Sequence, residues 1–126
     1  MTDTPKGELT LRTLAMPRDV NTNGDIFGGW VLSQMDMAAG IVAGARAQGR
    51  VATVAIDAMQ FIRPVKVGDV LCIYVEVVRI GRTSMGLQVE AWVLRNRLAQ
   101  REKVTEGLFT FVAIDEDGRP RVVPKG

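Results

Sequence analysis

Asp36 stands where a carboxylate is expensive. Leu32, Ser33, Ala39 and Gly40 occupy the positions three and four residues either side of it. A charge in that company must be paired, hydrated or put to use. The chain has no histidine and a single cysteine, Cys72. Ser-His-Asp triads, Cys-His dyads and His- or Cys-based metal sites are thereby excluded. Acid–base or nucleophilic chemistry at neutral pH then falls to a carboxylate. Two readings of Asp36 remain open: a general base or nucleophile, or a structural carboxylate bonded to backbone NH groups at a subunit contact.

Gly28-Gly29 precedes the same apolar run. Paired glycines let a backbone approach a ligand closely, and the free NH groups and positive dipole end of a helix gather at its start. Such a group suits the oxyanion of a reacting carbonyl; the plainer reading is an N-terminal turn. It is not a dinucleotide fingerprint, because no G-x-G-x-x-G follows a strand. Gly29 and Asp36 lie about 10 Å apart along a helix axis, too far to act together on one carbonyl carbon. If both act on one carbonyl they come from different subunits, so the spacing predicts a homodimer with composite sites. Asn23-Gly24 reads first as a turn; its amide would otherwise orient water or bind the substrate oxygen. Gly81-Arg82-Thr83-Ser84 is a turn carrying one cation and two hydroxyls, suited either to a phosphate or to plain solvation. Arg63, beside Pro64, is a further phosphate contact to test.

These residues need elements to hold them. Trp30–Arg46 reads as a helix without proline, apolar nearly all round, ending at Gly49 and expected to be buried on most sides. Glu8–Ala15 is a weak first or edge strand, and Met16–Gly29 a loop rich in turn formers. Val51–Ile62, Asp69–Ile80, Met85–Arg95 and Glu102–Ile114 are long and rich in β-branched residues. Pro64–Gly68, Gly81–Ser84, Arg95–Arg101 and Asp115–Gly118 connect them, and residues 1–7 and 120–126 read as loose tails. The layout is α+β: one long central helix wrapped by a curved antiparallel β-sheet in a single domain over residues 1–126. Trp30, Trp92, Phe61, Phe109 and Phe111 are candidates for the core or a substrate pocket; Met35, Met37, Met59, Met85 and Cys72 are core candidates.

Of the 126 residues, 47% are apolar and 24% charged, with a net charge of +2. That balance argues against general nucleic-acid binding. No apolar run reaches the roughly 20 residues of a membrane helix, and the polar start is unlike a signal peptide; a cytoplasmic protein is expected. Arg63, Lys66, Arg79, Arg82, Arg119 and Arg121 are spread along the chain but could meet in space.

The stretch Asn21-Thr-Asn-Gly-Asp-Ile-Phe-Gly-Gly-Trp-Val-Leu-Ser-Gln-Met-Asp36 resembles the signature of the YciA-type acyl-CoA thioesterases. The likeness continues through Thr53–Asp57, Phe61–Pro64, Val67–Val70, Gly81–Ser84 and Thr110–Ala113, covering roughly residues 9–124. The resemblance implies a hotdog fold, hydrolysis of acyl-CoA to a free acid and CoA, and a dimer assembling as a trimer of dimers. It implies no metal and no cofactor beyond the coenzyme A of the substrate. It assigns Asp36 as base or nucleophile, Gly28 and Gly29 of the facing subunit as carbonyl donors, and Asn23 as a loop contact. Arg82, Thr83 and Ser84 would meet the CoA phosphates, with Arg63 as a further contact. The absence of histidine weighs against a hydratase of this fold. A non-catalytic acyl-CoA-binding module, and an interaction protein in which Asp36 only sets register, are the other readings.

Overall fold

The computed structural model describes residues 4–95 and 100–126; the connection expected within Arg95–Arg101 lies largely outside them. Strand β1 (Glu8–Leu14) is followed by a short 3₁₀ turn (Pro17–Asp19) and helix α1 (Gly28–Ala47). Four long strands come next: β2 (Val51–Phe61), β3 (Val70–Ile80), β4 (Ser84–Arg95) and β5 (Gln100–Ala113). They form one antiparallel sheet in the order β1-β3-β4-β5-β2. β1 and β2 are therefore the edges. No helix among the described residues is long and apolar enough to cross a membrane.

The helix starts two residues earlier than its composition suggested. Phe27 is the N-cap, with no side-chain hydrogen bond to close the first turn, so both glycines are helical residues. At the other end, Gln48 rather than Gly49 takes the left-handed conformation (φ 54°). Gly49 follows it, and its NH donates to Gly44 O, closing the helix end.

One stripe of α1, formed by Val31, Met35, Ala38, Ala39, Ala43 and Ala47, is buried against the sheet. Phe109, Leu71, Ile73, Met85 and Leu87 fill the layer facing it, and Cys72 is buried as expected. The alanines keep the helix thin, so it lies close on the strands. The expectation of burial on most sides does not hold within one chain. Met37 and Ile41, on the outer side of α1, are 51% and 59% exposed. A five-stranded sheet covers one side of a helix only, so these apolar side chains are left for another surface.

The segment 120–126 is docked, not loose. The Asp115 carboxylate accepts from the NH groups of Asp117 and Arg119, closing a turn that folds the chain back on itself. Arg121 NH then donates to Ala113 O, and Val123 NH to Arg82 O. Val123 is only 4% exposed, and Arg46 Nη1 donates to Pro124 O at 2.6 Å.

Candidate active site

Asp36 projects from the flank of α1 toward β2, half-buried. Its Oδ1 accepts a hydrogen bond from Thr53 Oγ1 at 2.6 Å. Thr53 pairs with Phe111 in the neighbouring strand, and a register shift follows between Thr53 and Ala55. The hydroxyl thus reaches the helix from a slightly irregular edge strand. Among the described residues no cation pairs with Asp36, and Oδ2 has no recorded hydrogen bond. One oxygen is anchored, and the other is open to a water or a substrate carbon.

Gly28 and Gly29 are exposed at the start of α1. Nothing lies within 4 Å of a β-carbon built on Gly29, whereas one on Gly28 would sit 3.3 Å from Phe61 Cζ. The first helical NH groups have no partner inside the helix, and Gly28 lines a cleft of about 290 Å3. Ile26, Val31, Phe61, Val65 and Val104 line it, and Asn21, Asp25 and Arg63 stand among its polar groups. Asp36 does not line this cleft. Within one chain the acid and the helix start are separate, as eight positions of helix require.

The loop before the helix is organised by Asn21. Its Oδ1 accepts from the NH groups of Asn23 and Asp25 at 2.8 and 3.2 Å, and Gly24 NH bonds to its carbonyl. Gly24 has a φ of +84°, which glycine adopts without strain. Asn23 lies exposed at the tip of this turn.

The cations do not all meet. Arg63 is at the Gly28 end, its Nε 3.1 Å from Glu102 Oε2 and its Nη1 donating to Lys103 O; nearby, Lys66 pairs with Asp25. The Gly81–Ser84 turn lies at the opposite end of the sheet, where Ser84 pairs with Val112 and Val112 with Ala52. Its backbone is fixed by Gly81 NH to Ser84 O, Ala113 NH to Thr83 O, and Val123 NH to Arg82 O. Arg82 is exposed there, and Arg79 lays its guanidinium within 3.4 Å of where a Gly86 β-carbon would be. Neither has a carboxylate partner within salt-bridge distance among the described residues. Arg46, Arg50 and Arg121 at this end donate to carbonyl groups, which leaves their charge unneutralised. That end suits an anion.

Thr53 was not singled out as a site residue from sequence. Its signal was there: it is the one polar side chain in the run Val51–Ile56. A larger cleft of about 710 Å3, on the sheet face away from α1, holds Glu76, Glu90, Lys103 and Glu106. It shares no residue with this constellation, and Glu90 and Glu106 are already paired with Lys103.

A model of the thioesterase superfamily matches residues 23–100. The chain is 54% identical to the acyl-CoA thioester hydrolase YciA of Salmonella typhimurium, over 98% of this chain and 96% of that protein. Its fold superposes on a hexameric thioesterase from Yersinia pestis with a TM-score of 0.93 at 52% identity, covering 98% of this chain and all of that one. It is also similar to an acyl-CoA hydrolase from Staphylococcus aureus solved with butyryl-CoA and CoA (30% identity, TM-score 0.83, 90% of this chain and 70% of that one). Alanine variants of that hydrolase at an aspartate, and at a threonine seventeen positions later, have also been solved. The chain belongs to the thioesterase superfamily and, within its hotdog-fold members, to the YciA-type acyl-CoA thioester hydrolases.

Proposed function

We propose that the chain hydrolyses acyl-CoA at sites shared between two copies, with Asp36 of one copy facing Gly28 and Gly29 of the other. The observation that carries this reading is the position of Asp36: anchored by Thr53, open on its second oxygen, and beside the unpaired edge of β2. The same separation of seventeen residues between an aspartate and a threonine in the Staphylococcus aureus variants supports the pairing of roles. β2 runs antiparallel to α1, so Phe61 lies by Gly28 and Thr53 lies by Asp36. Pairing two β2 edges antiparallel about their midpoint, Ile56, carries the Gly28 end of one copy toward the Asp36 of the other. Three such dimers make a hexamer, as the hexameric relative favours.

The thioester carbonyl oxygen accepts from the NH groups at the start of α1, whose dipole stabilises the developing charge. Asp36 takes a proton from water as the water oxygen bonds to the carbonyl carbon. The carbon–sulfur bond then breaks, and the CoA thiolate takes up the proton. In the other route Asp36 itself attacks, and the mixed anhydride is hydrolysed in a second step. The CoA phosphates lie against Arg82, Thr83 and Ser84, at the basic end. Arg63, already paired with Glu102, is left as a rim contact, and Asn23 as a loop contact at the helix start.

Asp36→Asn tests the assignment. It should lower kcat for thiol release by at least about a hundredfold, the order lost with a positioned base. A folded variant with near-normal kcat rejects the role. An unmodified chain that binds acyl-CoA without releasing thiol would be a binding module instead.

A further inference from the structure

We propose that the cleft at the start of α1 receives the acyl chain and that Phe61 sets the chain length the enzyme accepts. This rests on the hydrolytic reading above and adds the direction in which the substrate lies. The cleft begins at Gly28, whose NH would hold the carbonyl oxygen, and its walls are mostly apolar: Ile26, Val31, Phe61, Val65 and Val104, beside Asn21, Asp25 and Arg63. Val31, Val65 and Val104 are buried core residues, so the floor is closed and fixed. The cations at the rim are spent. Arg63 is paired with Glu102, and Lys66 with Asp25. Within one chain the cleft offers a CoA phosphate only these paired cations, whereas Arg79 and Arg82 stand at the Asp36 end. In the shared site the thioester at the junction then sends its nucleotide to the basic end of the copy that supplies Asp36 and its hydrocarbon into the cleft of the copy that supplies Gly28.

Phe61 is the wall that can change. It is the last residue of β2, 52% exposed in the single chain, and its ring packs against the backbone at Gly28, 3.3 Å from a β-carbon position. An acyl chain leaving the carbonyl site must pass this ring to reach the floor. The buried valines behind it cannot yield without opening the core; the ring can be trimmed or enlarged without touching that layer.

The test compares kcat/KM across a series of straight-chain acyl-CoAs for the unmodified hexamer, Phe61→Leu, Phe61→Ala and Phe61→Trp. Trimming should shift the preference to longer chains, by about fourfold per methylene newly accommodated. Phe61→Trp should shift it to shorter ones. Inhibition by free CoA should keep the same Ki in all four. Parallel chain-length profiles overturn the proposal while leaving the hydrolase intact. So does a changed Ki for free CoA, because the cleft would then hold the coenzyme half. If Phe61→Ala fails to assemble, the opposite shifts of Phe61→Leu and Phe61→Trp decide. No thiol release from any acyl-CoA by the unmodified chain would sink the hydrolytic reading itself, and this one with it.

Discussion

The hydroxyl of Thr53 fixes which way the Asp36 carboxylate faces. A carboxylate on a helix flank can adopt several rotamers, and one good hydrogen bond to a charged acceptor contributes about 1.5–3 kcal/mol. Thr53→Val keeps the shape and removes the donor. If Asp36 is the proposed base or nucleophile, this should lower kcat by about ten- to a hundredfold while KM changes little, because the bond would orient that oxygen rather than hold CoA. Steady-state kinetics with one acyl-CoA check this, and a variant with unchanged kcat would reduce Thr53 to a surface contact. Asp36 was legible from the sequence because a lone acid in an apolar helix is costly. Thr53 was not, because threonine is common in strands and its partner lies on another element. Asn23 was legible only as a turn residue, and the hydrogen bonds show that Asn21 does the organising.

At the scale of elements, the start of α1 is the feature to test. Gly29→Pro removes one of the first-turn NH groups that have no partner within the helix. It should lower kcat by about a hundred- to a thousandfold, as expected for a lost oxyanion donor. The helix and the four long strands could be read from the sequence because apolar runs, β-branched residues and turn formers agreed locally. The docked C-terminal segment could not. Val123 lies in Arg119-Pro120-Arg121-Val122-Val123-Pro124, a short stretch with no strand or helix pattern, and its hydrogen bond is to the turn holding Arg82, far away in sequence. Gly49 was read as marking the helix end, and its NH does close that end on Gly44 O, while Gln48 takes the left-handed conformation. Val123→Asp places a charge in this seam and should destabilise the fold by several kcal/mol. Thermal unfolding would show it; an unchanged midpoint would mean that the segment contributes nothing.

At the scale of the whole molecule, the shared site can be separated from a site within one chain by mixing variants. Asp36→Asn and Gly29→Pro chains are each deficient in a different half. Co-refolded in equal amounts, half of the dimers pair unlike chains, and each of these has one of its two sites complete. About a quarter of the unmodified activity should return, as two-fold symmetry requires. If both groups act within a single chain, mixing restores nothing. The outer face of α1 also belongs to this scale. The sheet covers one side of α1 and leaves Met37 and Ile41 exposed, which is why the expected all-round burial fails for one copy.

The bare edge of β2 has a consequence for the life of the newly made chain. Its eleven residues include Asp57 as the only charge and have no proline, so that charge and the register shifts after Thr53 and Asp57 are all that blunt the exposed edge. Val54, Ile56 and Phe61 are displayed along it. A subunit waiting for its counterpart is therefore a template for indiscriminate strand accretion. A substitution that keeps two copies apart would lead the chain toward aggregation, more steeply at high concentration, rather than toward a stable lone protomer.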